Sequence, residues 1–456
     1  MGRDAPGPGP HQIPGLLRLA VTDPLRSLYQ TVSRYGDVVE APIAPGRSFH
    51  LFTRPEHVEH ILVARQSRYG KAFTYRPLQE WIGLGLITSD GELWERQRRL
   101  IQPLFSYRRV AALEPLMVTA VRRMLDDWDR TPESGRVVDA AVEMSGLTLD
   151  IVGATLFGAD LSGDRDRIFH AVETLQDAVT KVIRNPFTWV STTMARYTSP
   201  GFRSWDRAIA TIDEVVSRVI AERRARPADD GAPRDLLDAL LAARYDDGSA
   251  IDDKQLRDEI ITFFMAGHET SANCLAWTFY LLSTSPHARE RLEDEVDTVL
   301  AGRTPEPEDL DKLVWTKAVL SESMRLYPPV WTVERDAVEE DEVGGVRVRP
   351  GSTVVVPPYL VHRHPGVWEN PEAFDPERFL PPRSTGRPKY AFIPFGGGRR
   401  GCIGNVFALM EVTLALAMIT QRYRLDLLPG FDPEPKVTVT LRPKHEMAML
   451  LHRRSR

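Results

Sequence analysis

The sequence reads Phe395-Gly-Gly-Gly-Arg-Arg-Gly-Cys402-Ile-Gly404 where its last long helix is predicted to begin, at 402–423. Consecutive glycines allow a positive φ or a close approach of two backbones. A cysteine at the start of a helix is stabilised as a thiolate by the helix dipole and by free backbone N–H groups. These conditions suit a metal ligand or a nucleophile. The simpler alternative is a glycine-rich turn with a buried, inert cysteine.

The composition limits the classes of protein to which the chain can belong. Of its 456 residues, 42% are hydrophobic and 27% are charged, which is ordinary for a globular protein. The net charge of −5 gives no general electrostatic reason to bind nucleic acid or an anionic membrane. The 2 cysteines, Cys274 and Cys402, cannot form a disulfide framework or a four-cysteine zinc site. A reducing cytoplasm is therefore the predicted compartment, and no nucleic acid is expected as a partner.

The amino terminus reads MGRDAPGPGPHQIPG and lacks the apolar core of a signal peptide. Because it is rich in proline and glycine, we predict that residues 1–15 are flexible. No run approaches the roughly 18 apolar residues that a membrane span needs, so no span is predicted. At about 150 residues per domain, length alone would suggest about three domains.

Hydrophobic periodicity predicts a mainly α fold with a minor β part (α+β). Apolar residues recur at three and four positions over 92–320, with helices at 110–128, 168–183, 205–226 and 256–283. Short strands are predicted at 38–42, 48–52, 333–338 and 353–356, and a hairpin at Val343-Gly-Gly-Val346. A β-like tail follows at 436–441 and 447–451.

Cys402 and its neighbours match the pattern F-x-x-G-x-R-x-C-x-G at every fixed position. That pattern is the haem-binding signature of the cytochrome P450 family, which the glycine-rich loop therefore resembles. The resemblance implies haem b as the cofactor and Cys402 as the axial thiolate ligand of its iron. It also implies that Phe395 packs beside the sulfur and that Arg400 pairs with a haem propionate.

A second motif, Ala266-Gly-His-Glu-Thr-Ser271, lies in the predicted helix at 256–283 and resembles the family's A-G-x-[DE]-T-[TS]. A glycine in mid-helix costs about 1 kcal/mol against alanine, and a threonine there can compete for backbone carbonyls. Together they predict a local distortion with room for dioxygen and water. By resemblance, Thr270 donates a hydrogen bond to the dioxygen and Glu269 relays protons. The alternative is a kinked core helix in which Thr270 bonds the preceding turn.

Three arginine-containing motifs agree with the resemblance. Glu322-Ser-Met-Arg325 matches E-x-x-R, and Arg378 in Pro376-Glu-Arg-Phe379 would join that pair in a structural network. Trp94 and Arg98 match W-x-x-x-R, whose spacing places both side chains on one helix face, where they can donate to a propionate. By resemblance, Arg335 is a further propionate ligand. The alternatives are an ordinary helical ion pair for Glu322 and Arg325, and a surface arginine that covers a tryptophan.

These motifs follow the family's order over roughly 70–425, which implies a single cytochrome P450 catalytic domain at 16–456 in place of three domains. Since no electron-transfer domain is visible, electrons are expected from ferredoxin and ferredoxin reductase, or from flavodoxin. We hypothesise that the arginines at 96–99, 108–109 and 399 dock an acidic ferredoxin, with a solvated surface as the alternative. His268, His362, His364 and Cys274 are interpreted as packing or loop residues.

The predicted function is a haem-thiolate monooxygenase that inserts one oxygen atom from O2 into a small hydrophobic substrate. Apolar walls are expected from three segments at 73–88, 175–189 and 330–333, including Phe73, Trp81, Ile82, Leu84 and Leu86. The segment at 86–94 resembles bacterial members that look like eukaryotic enzymes, which favours a terpenoid, then a fatty acid or polyketide. The alternatives are a haem-thiolate peroxygenase or isomerase, and a non-catalytic haem-binding sensor or carrier.

Overall fold

Helices make up most of the described chain. The structure is a computed structural model that describes residues 5–9, 11–44, 46–130, 136–184, 202–225 and 235–454. Its α-helices are α1 (Ile13–Thr22), α2 (Pro24–Tyr35), α3 (Pro55–Glu59), α4 (Arg76–Ile82), α5 (Gly91–Ile101), α6 (Tyr107–Ala111), α7 (Glu114–Asp129), α8 (Ala140–Leu156), α9 (Arg165–Arg184), α10 (Phe202–Ala225), α11 (Leu236–Ala242), α12 (Asp253–Ser283), α13 (Pro286–Leu300), α14 (Val314–Leu326), α15 (Pro358–Val361) and α16 (Asn405–Arg422). Among these residues, no helix has the length and apolarity needed to cross a membrane.

The strands form small sheets at the edges of the helical body. They are β1 (Val38–Ala44), β2 (Arg47–Phe52), β3 (Tyr69–Lys71), β4 (Arg136–Asp139), β5 (Val333–Ala337), β6 (Asp341–Val343), β7 (Val346–Val348), β8 (Thr353–Val356), β9 (Tyr423–Leu427), β10 (Pro435–Val437), β11 (Leu441–Pro443) and β12 (Ala448–Arg453). The largest sheet has the order β1-β2-β8-β5-β3, in which only β2 and β8 are parallel. The others are β4-β12-β9, β6-β7 and β10-β11. The predicted mainly α fold with a minor β part is confirmed.

Helix α12 occupies the centre of the core. It packs against α8, α14 and α16, and residues on all of its sides are buried, from Ile260 to Trp277. A helix that is apolar all round is expected at such a place. A Cβ at Gly267 would lie 3.1 Å from the Val152 side chain of α8, so this glycine permits close packing of the two helices. Helix α12 runs without a break through the A-G-x-E-T motif. The local distortion expected there stays a prediction.

The structure also contains elements that the periodicity did not indicate. Helix α1 begins at Ile13, with Pro14 in its first turn, so regular structure starts inside the segment 1–15. The helix predicted at 110–128 is two helices, since Pro115 in the first turn of α7 lacks the N–H that would continue α6. Strand β4 interrupts the helical region because it pairs with β12 at the other end of the chain.

A buried ion-pair network joins α14 to the segment before the glycine-rich loop. Arg325 donates to both carboxylate oxygens of Glu322 (2.7 and 2.8 Å), and both side chains are 0% exposed. The remaining Arg325 donors reach the carbonyls of residues 362, 371 and 373. Nε of Arg378 lies 3.3 Å from the same carboxylate, which completes the expected network. Every N–H group of the Arg325 side chain therefore has an acceptor, as a buried charge requires.

Replacing Arg325 should therefore destabilise the whole protein. Arg325→Met leaves the Glu322 carboxylate buried without its partner, which should lower the free energy of unfolding by about 3–5 kcal/mol. The matched control is Arg130→Met, because Arg130 and Asp127 form an exposed pair with the same i, i+3 spacing. That change should cost less than about 1 kcal/mol. Urea titrations of both variants measure the difference, and equal midpoints would contradict this account.

Candidate functional site

A cavity of about 680 Å³ lies between α12, the glycine-rich loop and β5. Cys402 and Phe395 line it on one side, and Ala266, Glu269 and Thr270 of α12 also face it. Its wall is mostly apolar and extends to residues of α1 and α2. The glycine-rich loop and the A-G-x-E-T motif, which are far apart in the sequence, therefore border the same cavity.

The glycine-rich loop adopts a backbone conformation that requires glycine at position 398. Gly398 has a φ of +65°, and a Cβ there would lie 1.9 Å from the Leu62 carbonyl oxygen. Its own carbonyl accepts a hydrogen bond from the Gly401 N–H (3.1 Å). The loop is therefore pressed against the segment around Leu62, and no side chain fits between the two backbones.

Cys402 lies just before α16, which begins at Asn405 because Gly404 takes the N-cap position. The prediction that this helix begins at Cys402 was therefore wrong by three residues. The Cys402 N–H donates to the Phe395 carbonyl (2.8 Å), which ties the two ends of the signature together.

The thiol of Cys402 faces the enclosed cavity, where burial raises its pKa. The N–H of Gly404 and the guanidinium of Arg98 act in the opposite direction and lower it. Arg98 is held in place because its Nη1 donates to the Gly401 carbonyl (3.1 Å). Cys274 contrasts with this environment, since burial raises the pKa of its thiol to about 12 and no cation compensates. Of the two cysteines, Cys402 is the one with groups placed to stabilise a thiolate.

Cationic side chains converge on one part of the cavity wall. Arg98, Arg335 and Arg400 all line the cavity, and the sequence analysis had singled out each of them. Lys71 joins them, because it pairs directly with Arg335 in the register of β3 and β5. Burial lowers the pKa of Lys71 well below its usual value, and Arg335 and Arg400 lower it further.

Asp90 compensates only part of this positive charge. It forms an ion pair with Arg400 and accepts the backbone N–H of Lys71 (2.6 Å). Arg400 also stacks on the ring of Trp94 at 4.2 Å, and burial lowers its pKa to about 10. The indole N–H of Trp94 has no acceptor in the described part of the chain. Together, these groups offer positive charge and a free donor to an anionic ligand in the cavity.

Sequence analysis missed Lys71 and Tyr75, which belong to the same cluster. The Lys71 ammonium lies 4.2 Å from the ring of Tyr75, and both residues line the cavity. Neither residue belongs to a motif. The pairing of β3 with β5 brings Lys71 to Arg335, and Tyr75 follows shortly after β3, so the register of a distant strand was the signal needed.

The polar residues of the α12 motif are held by their neighbours. Thr270 donates from Oγ1 to the Ala266 carbonyl (2.7 Å), the backbone bond that was considered as the alternative role. The Glu269 carboxylate accepts from Oγ1 of Thr440 (2.8 Å) and from the Gln176 side chain. Burial raises the pKa of Glu269. The motif therefore places a fixed hydroxyl and a buried carboxyl with a raised pKa on the wall of the cavity.

The apolar wall agrees in part with the predicted segments. Residues 330–333 all line the cavity, and so do Trp81, Ile82 and Leu86. Phe73 does not, because it packs against Phe49 and beneath the Arg47 guanidinium. Leu84 does not either, because it points outwards and is 38% exposed. From the predicted segment 175–189, the described lining residues are Gln176, Val179 and Thr180, while 185–189 lie outside the described residues.

Two histidines have structural partners. His268 of α12 bonds through Nε2 to the Ser145 hydroxyl of α8 (2.8 Å), which agrees with its interpretation as a packing residue. The His362 ring accepts the N–H of Ile393 (2.8 Å), and burial lowers its pKa to about 3, so the ring stays neutral. Its carbonyl also accepts from Arg325. His362 therefore connects the buried ion-pair network to the residues just before the glycine-rich loop.

Comparison with known proteins agrees with this geometry. The family model described as Cytochrome P450 matches residues 6–450. The chain is 36% identical over 427 residues to the putative cytochrome P450 132 of Mycobacterium tuberculosis, covering 90% of this chain and 89% of that protein. It is 34% identical over 447 residues to cyclooctatin synthase of Streptomyces melanosporofaciens (97% and 94%). It is 32% identical over 412 residues to pentalenene oxygenase of Streptomyces avermitilis (90% and 89%).

The chain belongs to the cytochrome P450 family. It is a monooxygenase that uses haem with a cysteine thiolate as axial ligand, dioxygen, a hydrophobic substrate and redox partners. The cavity fits that cofactor, because a thiol and a cluster of undercompensated cations border the same space. A thiolate for the iron and cations for two propionates are the groups that haem requires.

Substitution of Gly398 should impair haem incorporation through the contact with Leu62. Gly398→Ala places a methyl group against a backbone carbonyl, so we expect most of the purified protein to lack haem. Gly396→Ala is the matched control, because φ is +69° there but nothing lies within 4 Å of a Cβ. It should cost about 1–2 kcal/mol of backbone strain and keep its haem. The measurement is the ratio of haem to protein in each purified variant. Equal ratios in the two variants would exclude the contact with Leu62 as the cause of haem loss.

Proposed function

We propose that this monooxygenase oxygenates a terpenoid, with Cys402 as the ligand of the haem iron and a separate ferredoxin as the electron donor. The observation that carries the substrate class is the cavity wall, which is mostly apolar. Such a wall selects a hydrocarbon by shape, since it offers few hydrogen-bonding groups. Terpenoid-related relatives support this choice over a fatty acid or a polyketide.

The chain's own residues would hold the cofactor in a defined orientation. Cys402 would supply the thiolate, and Phe395, the first residue of the same loop, lines the cavity with it. Trp94, Arg98, Arg335 and Arg400, together with Lys71, would bind the propionates by charge-assisted hydrogen bonds. When bound, haem with a thiolate ligand supplies the oxygen-activating chemistry.

Thr270 and Glu269 would control protons at the cavity. The hydroxyl of Thr270 donates to the Ala266 carbonyl, so its oxygen is fixed and can accept a hydrogen bond from the cavity side. Glu269 holds a proton more readily than an exposed carboxyl, because burial raises its pKa. A hydroxyl beside such a carboxyl is a suitable pair for directed proton transfer.

The proposed function is tested by turnover of the purified holoenzyme. A terpene-biased library, which also contains fatty acids and macrolactones, is first screened by the spin-state change of the haem. Binders are then incubated with a surrogate ferredoxin system. Oxygenated terpenoid formed in proportion to NAD(P)H and O2 supports the proposal, and a preference for the other classes contradicts it. Product from peroxide alone favours a peroxygenase, and binding without product favours a sensor or carrier.

Removal of the Thr270 hydroxyl should uncouple electron use from product formation. In Thr270→Ala, we expect the product formed per NAD(P)H to fall by roughly tenfold or more, because a fixed hydroxyl that orients proton transfer at the cavity is lost. The matched control is Thr278→Ala, since Thr278 bonds the Cys274 carbonyl of the same helix (2.6 Å) in the same i−4 geometry. If both variants stay fully coupled, Thr270 has no part in the mechanism.

The docking surface for ferredoxin would centre on Arg108 and Arg109 of α6. Arg96 and Arg99 form ion pairs with Asp247 and Asp246, and Arg399 pairs with Glu95, so much of their charge is already compensated. Arg108 and Arg109 are exposed and form no ion pair in the described part of the chain. Uncompensated surface cations attract an acidic partner at a rate that depends on ionic strength.

Reversal of both charges should slow reduction by ferredoxin. In Arg108→Glu/Arg109→Glu, the second-order rate constant should fall about tenfold at low salt and lose most of its salt dependence. Arg123→Glu/Arg130→Glu is the control, since both arginines are exposed, Arg123 in α7 and Arg130 directly after its last residue. Stopped-flow reduction measures both variants. An unchanged rate and an unchanged salt dependence would exclude this surface.

A further inference from the structure

Two adjacent carboxylates of α12 hold the backbone of the loop that precedes α5. Asp258 accepts the Leu84 N–H on Oδ2 (2.9 Å), and Glu259 accepts the Leu86 N–H on Oε2 (3.1 Å). The carbonyl between these two N–H groups is bound as well, because Gln97 donates to the Leu84 oxygen (2.7 Å). The segment Gly83–Leu86 is therefore attached to α12 through its main chain.

The glycines of this segment show how closely it approaches α12. A Cβ at Gly85 would lie 2.0 Å from Oγ1 of Thr262 and 2.7 Å from the Asp258 carbonyl oxygen. A Cβ at Gly83 would lie 2.1 Å from the Asp258 carboxylate. The packing thus requires glycine at both positions. The carboxylates accept hydrogen bonds from the backbone N–H groups that would otherwise be buried without a partner.

The two carboxylates differ in their charge partners. Asp258 has Lys254 (3.2 Å) and Arg257 (2.8 Å) beside it, as expected for a buried charge. Glu259 is 0% exposed and has no cationic partner among the described residues; its other oxygen accepts from the side chain of Gln255 (2.9 Å). Burial raises its pKa to about 8. A buried acid without a counter-charge is costly. Apart from Gln255, the hydrogen-bond partner of Glu259 is the Leu86 N–H of the loop, so that bond is what the buried acid contributes.

The held segment continues directly into the wall of the cavity. Leu86 and Ile87 line it, as does Phe263 of the next turn of α12. Asp258 and Glu259 do not line it, so they act only through the loop. A shift of this backbone by a fraction of an ångström would move two apolar side chains relative to any bound substrate.

We propose that Glu259, assisted by Asp258, is a positioning residue that fixes Leu86 and Ile87 in the substrate wall and so determines which carbon of the substrate is oxygenated. The proposal rests on the proposed function, because it assigns that wall to the substrate. It adds a determinant of specificity that touches neither the substrate nor the cofactor. Positions of this kind act because a reacting carbon must be held close to the productive geometry.

The test compares Glu259→Gln with Glu411→Gln in the holoenzyme. The variants are compared above pH 8, where Glu259 is ionised and accepts on both oxygens. Glutamine retains the size of glutamate but has one acceptor oxygen, so it cannot accept from both Leu86 and Gln255. Glu411 is the matched control, because it is also fully buried, with a pKa of about 8, and bonds Ser271 away from the loop. Amide hydrogen exchange of residues 83–88 should accelerate at least about fivefold in Glu259→Gln alone. The ratio of regioisomeric products should change by a similar factor, with haem content unchanged.

A second variant reaches the same loop without altering a carboxylate. Gly85→Ala should push the segment away from α12 and change the product ratio in the same way. Gly163→Ala, where nothing lies within 4 Å of a Cβ, should not change it. Unchanged exchange in Glu259→Gln would overturn the proposal. Faster exchange with an unchanged product ratio, or an equal effect of Glu411→Gln, would also overturn it.

A binding measurement tests the role of Glu259 even if the proposed substrate class is wrong. If the wild-type enzyme oxygenates no terpenoid, the substrate class is wrong, but the position of the wall can still be measured. A phenyl-substituted imidazole binds haem iron through nitrogen, which would place its ring in the cavity. Its Kd should rise at least about fivefold in Glu259→Gln and stay constant in Glu411→Gln. Equal Kd values in the two variants would overturn the proposal without reference to turnover.

Discussion

The ion pair between Glu322 and Arg325 is the interaction on which the arrangement of the cavity depends. Each N–H of Arg325 has an acceptor, and neither side chain is exposed to solvent. A buried guanidinium is tolerable only with its full set of acceptors, so the three carbonyls that complete it cannot move independently. One of them belongs to His362, whose ring holds Ile393. The path from α14 to the glycine-rich loop is therefore a sequence of obligatory hydrogen bonds.

The glycine-rich loop depends on this support because it contributes little packing of its own. Its position is set by the close contact of Gly398 with Leu62 and by the hydrogen bond between Cys402 and Phe395. On the other side of the cavity, strand pairing and not a motif brings Lys71 to Arg335. The cofactor site thus combines a loop held by buried charges with a cation cluster held by a sheet.

The residues that sequence patterns could predict are those whose chemistry is local. The loop around Cys402, the Glu322–Arg325 spacing and the motif at Thr270 each lie within one turn or one helix, so their geometry follows from the spacing. Lys71, strand β4 and the role of His362 depend on partners far along the chain, which no local pattern encodes. The packing role of Gly267 could not be predicted for the same reason, because the Val152 side chain that it contacts belongs to another helix. Phe73 was predicted to line the wall, but its ring packs against the ring of Phe49, which is distant in sequence.

Strand β5 carries Val333 and Arg335, and both residues line the cavity, one on the apolar wall and the other in the cation cluster. Side chains two positions apart on a strand share a face. A backbone change that accommodates a new substrate at Val333 would therefore also displace a group assigned to the cofactor. The loop at 83–88, in contrast, contributes residues to the substrate wall but none to the cation cluster. Over evolution, new specificities should arise more readily by drift in that loop than in the strand, so related enzymes can diverge in substrate while the cofactor remains undisturbed.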